Sequence, residues 1–131
     1  RLLLQPEAPG WLYEVNQGAN TVWETWTGID AEGKPHESLN HYSYGAICGW
    51  LFRGVCGIHL ADEKLTIAPT PHKVLGYAKA VYNSPVGYIA SSWRYDGDSV
   101  CYEFTIPSNM VADIYLPDGR AMTLSSGTHK I

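Results

Sequence analysis

The chain has 131 residues, 45% of them apolar and 17% charged, and its formal net charge is −4. This length suits one ordinary domain, or a small domain with a piece of a larger one, and excludes two independent enzymatic domains. Without a Lys/Arg cluster or an apolar run of roughly 20 residues, the sequence predicts a soluble protein with no nucleic-acid partner and no membrane partner.

The first predicted element is a short helix, and a segment rich in tryptophan follows it. The helix is expected near residues 10–16. In residues 21–28, Glu24 stands between Trp23 and Trp26, and periodicity does not decide between strand and loop. A solvated surface Glu does not need two indole neighbours. Glu24 is therefore a candidate functional residue.

The longest helical pattern occupies residues 39–58. Apolar residues recur there at intervals of three and four, as on one face of an α-helix: Leu39, Tyr42, Ala46, Ile47, Trp50, Leu51, Val55 and Ile58. Ser38 is the predicted N-cap and Gly57 the predicted stop. The pattern predicts a helix of about five turns.

No group of residues predicts a metal or an organic cofactor. His36 and His41 are five residues apart, whereas the HExxH zinc motif places its two histidines four apart on one helical face. The cysteines contain no CxxC pair, so buried thiols are expected rather than a zinc knuckle or a disulfide framework: Cys48, Cys56 and Cys101. We expect no cofactor.

After residue 60 the apolar pattern changes to the alternation of β-strands. Strands are predicted at about residues 65–67, 74–82, 88–95, 100–106 and 110–116, and a last strand ends at Ile131. Asp-Gly pairs at residues 96–97 and 118–119 predict tight turns. Six or seven short antiparallel strands make a sandwich or a barrel. The predicted fold class is α+β, helical in residues 1–59 and β in residues 60–131.

The polar and aromatic residues of the helical part are those that a sugar-binding site uses. Indole faces cover the C–H face of a sugar ring, and carboxylate, Asn, His and Tyr groups bind its hydroxyls. On this interpretation Glu24 is an acid or base in a carbohydrate cleft. Structural alternatives stay open: Trp23 and Trp26 as half-buried core residues, and residues 36–42 as the capped start of a helix.

Four segments resemble the C-terminal end of bacterial α-L-rhamnosidases: GANTVWETWTGID, PHESLNHYSYGAICGWLFRGVCGI, IAPTP and YEFTIPSNMVADIYLPDG. In that family the sugar-cleaving domain is an α/α barrel of six helical hairpins, followed by a small antiparallel β-sandwich. The resemblance implies that residues 1–59 are a short helical segment from the end of this six-hairpin glycosidase barrel. Residues 60–131 would be the C-terminal antiparallel β-sandwich.

The resemblance also implies roles for the candidate residues. Glu24 matches the general base of an inverting hydrolysis, His41 matches a sugar-contacting position, and Trp23 and Trp26 match indoles that flank the substrate. The general acid of the family lies upstream, in a region that this sequence does not include. Since inversion requires two carboxyl groups, we expect the 131-residue chain alone to be inactive.

The implied partners are rhamnose-containing glycosides and the rest of the parent barrel. A chain that begins with Arg1 rather than Met fits a cut inside a longer protein. The competing interpretation is a stand-alone carbohydrate-binding or structural β-sandwich module. An upstream barrel with a second carboxylate would favour the enzyme.

Overall fold

The computed structural model describes residues 2–131, and the chain forms two compact units that divide between Cys48 and Gly49. The first unit begins with a 3₁₀ turn at Leu2–Leu4 and continues with helix α1 at Trp11–Asn16, which confirms the predicted first helix. A long segment without regular structure leads from α1 to helix α2 at Tyr42–Gly45.

The helix predicted for residues 39–58 is shorter than expected and changes type along its length. Helix α2 is followed by α3 at Ile47–Trp50 and by a π-helical turn at Leu51–Val55. Gly57, at φ 74°, follows the last turn in the left-handed conformation that ends helices, which confirms the predicted stop. No helix in the described residues is long and apolar enough to span a bilayer.

The predicted N-cap and the predicted apolar face need correction. His41, not Ser38, caps α2, and its side chain accepts the N–H of Ser43. The Ser38 hydroxyl donates to the carbonyl of Asn40 instead, because the helix begins only at Tyr42, directly after the extended residue His41. The apolar stripe is not uniformly buried: Val55 and Ile58 are buried, whereas Tyr42 and Trp50 are exposed.

Six strands, in the described part of the chain, form one sheet. They are β1 (Ile58–Ala61), β2 (Lys64–Ile67), β3 (Tyr77–Ser84), β4 (Gly87–Asp96), β5 (Ser99–Tyr115) and β6 (Ala121–Lys130). The order is β1-β2-β5-β4-β3, and β6 also pairs with β5. The α+β class is confirmed. The described sheet is antiparallel except where β2 runs parallel to β5, with Leu65 opposite Ala112.

Two strands predicted at residues 100–106 and 110–116 are one long strand, β5. A register shift interrupts its pairing with β6 between Ile106 and Val111, where Pro107 lacks the N–H that a ladder needs and Asn109 has φ 62°. The first half of β5 pairs with β4 and the second half with β2. β5 therefore pairs with three strands, β4, β2 and β6, and the sheet curls around its core.

The core of the second unit lies on the inward face of this curled sheet. Its fully buried side chains come from β2, β4 and β5: Leu65, Ile67, Ile89, Trp93, Phe104 and Ile114. The helical stretch is fixed to the sheet by two hydrogen bonds. Trp93 Nε1 donates to the Val55 carbonyl at 2.8 Å, and Ser91 Oγ donates to the Cys56 carbonyl at 2.6 Å. These donors satisfy carbonyls that the helix end leaves free.

Candidate functional site

Glu24 and His41 lie close together because residues 21–41 fold into an irregular hairpin. Its two arms are residues 21–28 and residues 36–41. The Glu24 N–H donates to the Ser38 carbonyl, and the His41 N–H donates to the Val22 carbonyl, both at 2.8 Å. These bonds align the arms, so residues that are distant in sequence face each other.

A polar turn at the tip closes this hairpin. Asp30 Oδ1 accepts the N–H of Glu32 at 3.1 Å and that of Lys34 at 2.7 Å. Gly33 between them has φ 78°, a conformation that glycine adopts without strain. The Asp30 side chain thus adds to the backbone hydrogen bonds of the turn, in which the Asp30 N–H donates to the Lys34 carbonyl at 2.9 Å.

The Glu24 carboxylate is oriented by the opposite arm and open to solvent. Its Oε2 accepts the N–H of Ser38 at 3.1 Å, and its Oε1 lies 3.9 Å from His41 Nε2. The Glu24 side chain is 38% exposed and that of His41 is 27% exposed. Both polar groups can therefore be reached by a ligand.

The capping role of His41 determines which of its nitrogens faces Glu24 as a donor. His41 Nδ1 accepts the N–H of Ser43 at 3.2 Å, so the neutral ring carries its proton on Nε2. The Nε2–H group then faces Glu24 Oε1. Their separation of 3.9 Å is too long for a direct hydrogen bond.

The two tryptophans beside Glu24 occupy different environments. Trp23 is 2% exposed and packs beneath Gly28, where an added Cβ would lie 3.1 Å from Trp23 Cε3. Trp26 is half-buried and stacks on Tyr44, with ring centroids 4.1 Å apart. Trp11 meets Trp26 edge-on at 5.1 Å. A sugar contact by either ring stays a prediction, and the burial of Trp23 fits its alternative as a core residue.

Two residues that sequence reasoning did not select adjoin this region. Glu14 of α1 is 3% exposed, and its Oε2 accepts the N–H of Trp23 at 3.2 Å. Burial raises the pKa of Glu14, and the hydrogen bond from Trp23 opposes this shift. Tyr42 is 85% exposed and stacks on His41. The only signal for Glu14 was a lone carboxylate within a short apolar helix.

The second unit has a concavity of its own. Its volume is about 660 Å³, and strands β3 to β6 line it with Tyr77, Arg94 and Glu103 among other residues. Glu103 forms an ion pair with Lys130 at 3.3 Å. None of the predicted site residues lines this concavity, and no cluster of metal-binding side chains occurs among residues 2–131. The candidate site is therefore the pair Glu24 and His41.

Comparison with protein-family models shows to which family the chain belongs. Residues 1–55 match the bacterial α-L-rhamnosidase six-hairpin glycosidase domain, and residues 63–130, more than half of the chain, match the bacterial α-L-rhamnosidase C-terminal domain. The chain belongs to the bacterial α-L-rhamnosidase family. The resemblance carried by the four sequence segments is confirmed.

Curated α-L-rhamnosidases are similar to this chain over almost all of its length. One from Formosa agariphila is 37% identical over 131 residues, which are 95% of this chain and 14% of the relative. One from Alteromonas sp. (strain LOR) is 34% identical over 125 residues, 88% of this chain and 13% of the relative. The chain spans about one seventh of the length of these relatives.

Solved α-L-rhamnosidase structures contain the same fold. The native enzyme from Aspergillus terreus matches with a TM-score of 0.87 and 28% identity, over 98% of this chain and 16% of that structure. The Streptomyces avermitilis enzyme complexed with L-rhamnose matches with a TM-score of 0.88 and 25% identity, over 98% of this chain and 15% of that structure. The helical and β parts of this chain thus have their counterparts in rhamnosidases.

Proposed function

We propose that this chain is the C-terminal portion of an α-L-rhamnosidase that hydrolyses terminal α-L-rhamnosides with inversion. Residues 1–59 would complete the six-hairpin barrel, and residues 60–131 would form the C-terminal β-sandwich. Two family matches in this order support the assignment, since one ends at residue 55 and the other begins at residue 63. The rhamnose-bound Streptomyces relative supports the substrate class.

The observation that carries the proposal is the opposition of Glu24 and His41 across 3.9 Å. A water or sugar hydroxyl oxygen about 2.8 Å from each group would accept a hydrogen bond from His41 Nε2–H and donate a hydrogen bond to Glu24 Oε1. Glu24 can then take a proton from water as the water oxygen attacks the anomeric carbon. The Ser38 N–H holds the other carboxylate oxygen at 3.1 Å, which fixes the direction of Oε1.

The remaining aromatic residues fit supporting roles in this proposal. Trp26, half-buried with one face on Tyr44, would form a wall of the rhamnose site. Trp23, at 2% exposure, would support the backbone of Glu24 from beneath. The general acid would come from the upstream part of the barrel, about 6.5–9.5 Å from Glu24 with space for a water molecule.

The test is Glu24→Gln in the full-length protein, assayed with an aryl α-L-rhamnoside. The amide of this variant still offers an oxygen to the Ser38 N–H but cannot accept a proton. We expect kcat to fall by about 10²–10⁴-fold, with a smaller change in KM and an unchanged Tm. Glu32→Gln is the matched control, because Glu32 is an exposed carboxylate at the tip of the same hairpin, and its kcat should stay normal.

Near-normal kcat in a folded Glu24→Gln enzyme would remove Glu24 from the mechanism. A full-length protein that binds rhamnose without hydrolysing the aryl rhamnoside would support the carbohydrate-binding module instead.

His41→Ala tests the role of the second polar group. A hydrogen bond to a sugar hydroxyl that forms in the ground state and strengthens in the transition state contributes to both constants, so this variant should raise KM as well as lower kcat.

A further inference from the structure

We infer that Glu14 is a positioning residue for Glu24: its buried carboxyl holds the N–H of Trp23 and so fixes the peptide that leads into Glu24. The inference rests on the proposed function of Glu24. Glu14 lies in α1, ten residues before Glu24. It is 3% exposed and shares the interior of the first unit with Trp23.

The backbone at residues 22–24 is held along both of its edges. On one edge the Val22 carbonyl and the Glu24 N–H bond to the arm of residues 36–41, each at 2.8 Å. The N–H of Trp23, between them, takes no part in this pairing. Glu14 Oε2 accepts it at 3.2 Å. A buried backbone donor requires an acceptor, so loss of Glu14 would let this peptide turn and carry Glu24 with it.

The contact requires an acceptor at this position but not a negative charge. Glu14 Oε1 has no hydrogen-bond partner among residues 2–131, and burial disfavours the ionised carboxyl. The side-chain oxygen of Gln would accept the Trp23 N–H equally well. Met has a similar length and no comparable acceptor. Glu14→Gln and Glu14→Met therefore form a neutral pair of similar size in which only Gln supplies an acceptor for the Trp23 N–H.

The experiment measures kcat and KM for an aryl α-L-rhamnoside in the full-length protein carrying each substitution. A displaced catalytic group costs up to about 100-fold in rate. We expect Glu14→Met to lower kcat by about 10–100-fold with little change in KM, and Glu14→Gln to keep kcat within a factor of about three. In hydrogen–deuterium exchange of the full-length protein, the peptide that contains the Trp23 amide should exchange faster in Glu14→Met and stay slow in Glu14→Gln.

Ser91→Ala controls for a general loss of stability. It removes a buried hydrogen bond to the Cys56 carbonyl in the other unit, so it should lower Tm and leave kcat normal. Normal kcat in Glu14→Met, or equal loss in Glu14→Gln and Glu14→Met, would overturn the inference. If Glu14→Met does not fold, Glu14→Gln still tests the inference. A tenfold loss of kcat in folded Glu14→Gln would contradict the role of Glu14 as an acceptor.

Glu24→Gln is measured in the same series and separates the two claims. If Glu24→Gln lowers kcat and Glu14→Met does not, the proposed function stands and the positioning role of Glu14 fails. If Glu24→Gln keeps normal kcat, the proposed function fails. Positioning of a catalytic group by Glu14 then fails with it, even when the Trp23 amide exchange shows the hydrogen bond.

Discussion

Gly57 joins the helical stretch to the sheet, and Gly57→Ala should be among the most destabilising small substitutions in the chain. Its φ is 74°, where a non-glycine residue costs about 1–2 kcal/mol. An added Cβ would lie 2.1 Å from the Ala68 carbonyl carbon and 2.3 Å from Pro69 N. Both are backbone atoms, so no side-chain rotation relieves the overlap.

The free-energy cost can be estimated from these contacts. Overpacking of this kind costs about 1–3 kcal/mol. Moving the backbone also disturbs the 2.9 Å hydrogen bond from the Ala68 N–H to the Gly57 carbonyl, worth about 0.5–1.5 kcal/mol. With the conformational cost, the total is about 2.5–6.5 kcal/mol. Gly76→Ala isolates the conformational part, because Gly76 has φ 72° and nothing within 4 Å of an added Cβ.

Urea unfolding of the 131-residue chain, followed by tryptophan fluorescence, gives both free energies of unfolding. We expect Gly76→Ala to lose about 1–2 kcal/mol and Gly57→Ala to lose about 1.5–4.5 kcal/mol more. Equal losses of unfolding free energy in the two variants would refute the reasoning, since the contact of the added Cβ at Gly57 with the backbone of Ala68 and Pro69 would then cause no destabilisation.

Two further predictions concern buried ionisable groups. Burial raises the pKa of the Cys56 thiol to about 11 from 9.0, which lowers the fraction of its thiolate about 100-fold. The expectation of a buried thiol was wrong for Cys48, which is exposed, so iodoacetamide should label Cys48 first. Peptide mass spectrometry that shows faster labelling of Cys56 would contradict this. Burial raises the pKa of Glu14 above its ordinary 4.5, so its contribution to folding is lost as pH rises through the folded pKa. The Tm of Glu14→Gln relative to wild type should thus increase from about pH 4 to about pH 7, and a constant difference would count against a raised pKa.

Local signals predicted much of the fold because they act within a few residues. Asp-Gly pairs marked the turns at residues 96–97 and 118–119, where both glycines have positive φ. Gly57 marked the end of the helical stretch for the same reason. At these positions the residue type itself favours the observed backbone conformation, so the sequence alone was sufficient to predict the two turns and the end of the helical stretch.

The sequence analysis missed strand β1 because no local signal marks it, and missed the parallel pairing because that pairing is long-range. Ile58 continues the helical apolar stripe, and the turn after β1 uses Asp62 and Glu63, both at positive φ without glycine, so no local signal marks this hairpin. The parallel pairing of β2 with β5 joins segments more than 40 residues apart. Nothing in the period of either strand specifies that partner.

The candidate site was predicted as a set of residues but not as a geometry. The resemblance singled out Glu24 and His41, yet the hairpin that places them 3.9 Å apart has no periodic signal. The buried acceptor Glu14 was missed, because its partner is the backbone of Trp23 and not another side chain. Outside helix caps and turns, a side-chain contact to a backbone N–H leaves no pattern of residue types.

Azide rescue of Glu24→Ala in the full-length protein tests the central claim, that Glu24 is the base of an inverting rhamnosidase. Azide attacks the anomeric carbon without deprotonation, so it replaces water and base together. We predict that Glu24→Ala has kcat reduced by about 10²–10⁴-fold and that azide restores turnover of an aryl α-L-rhamnoside, with β-L-rhamnosyl azide as the product by NMR. A folded Glu24→Ala enzyme that hydrolyses the substrate at the wild-type rate would contradict the claim, as would a rescued product that retains the α configuration.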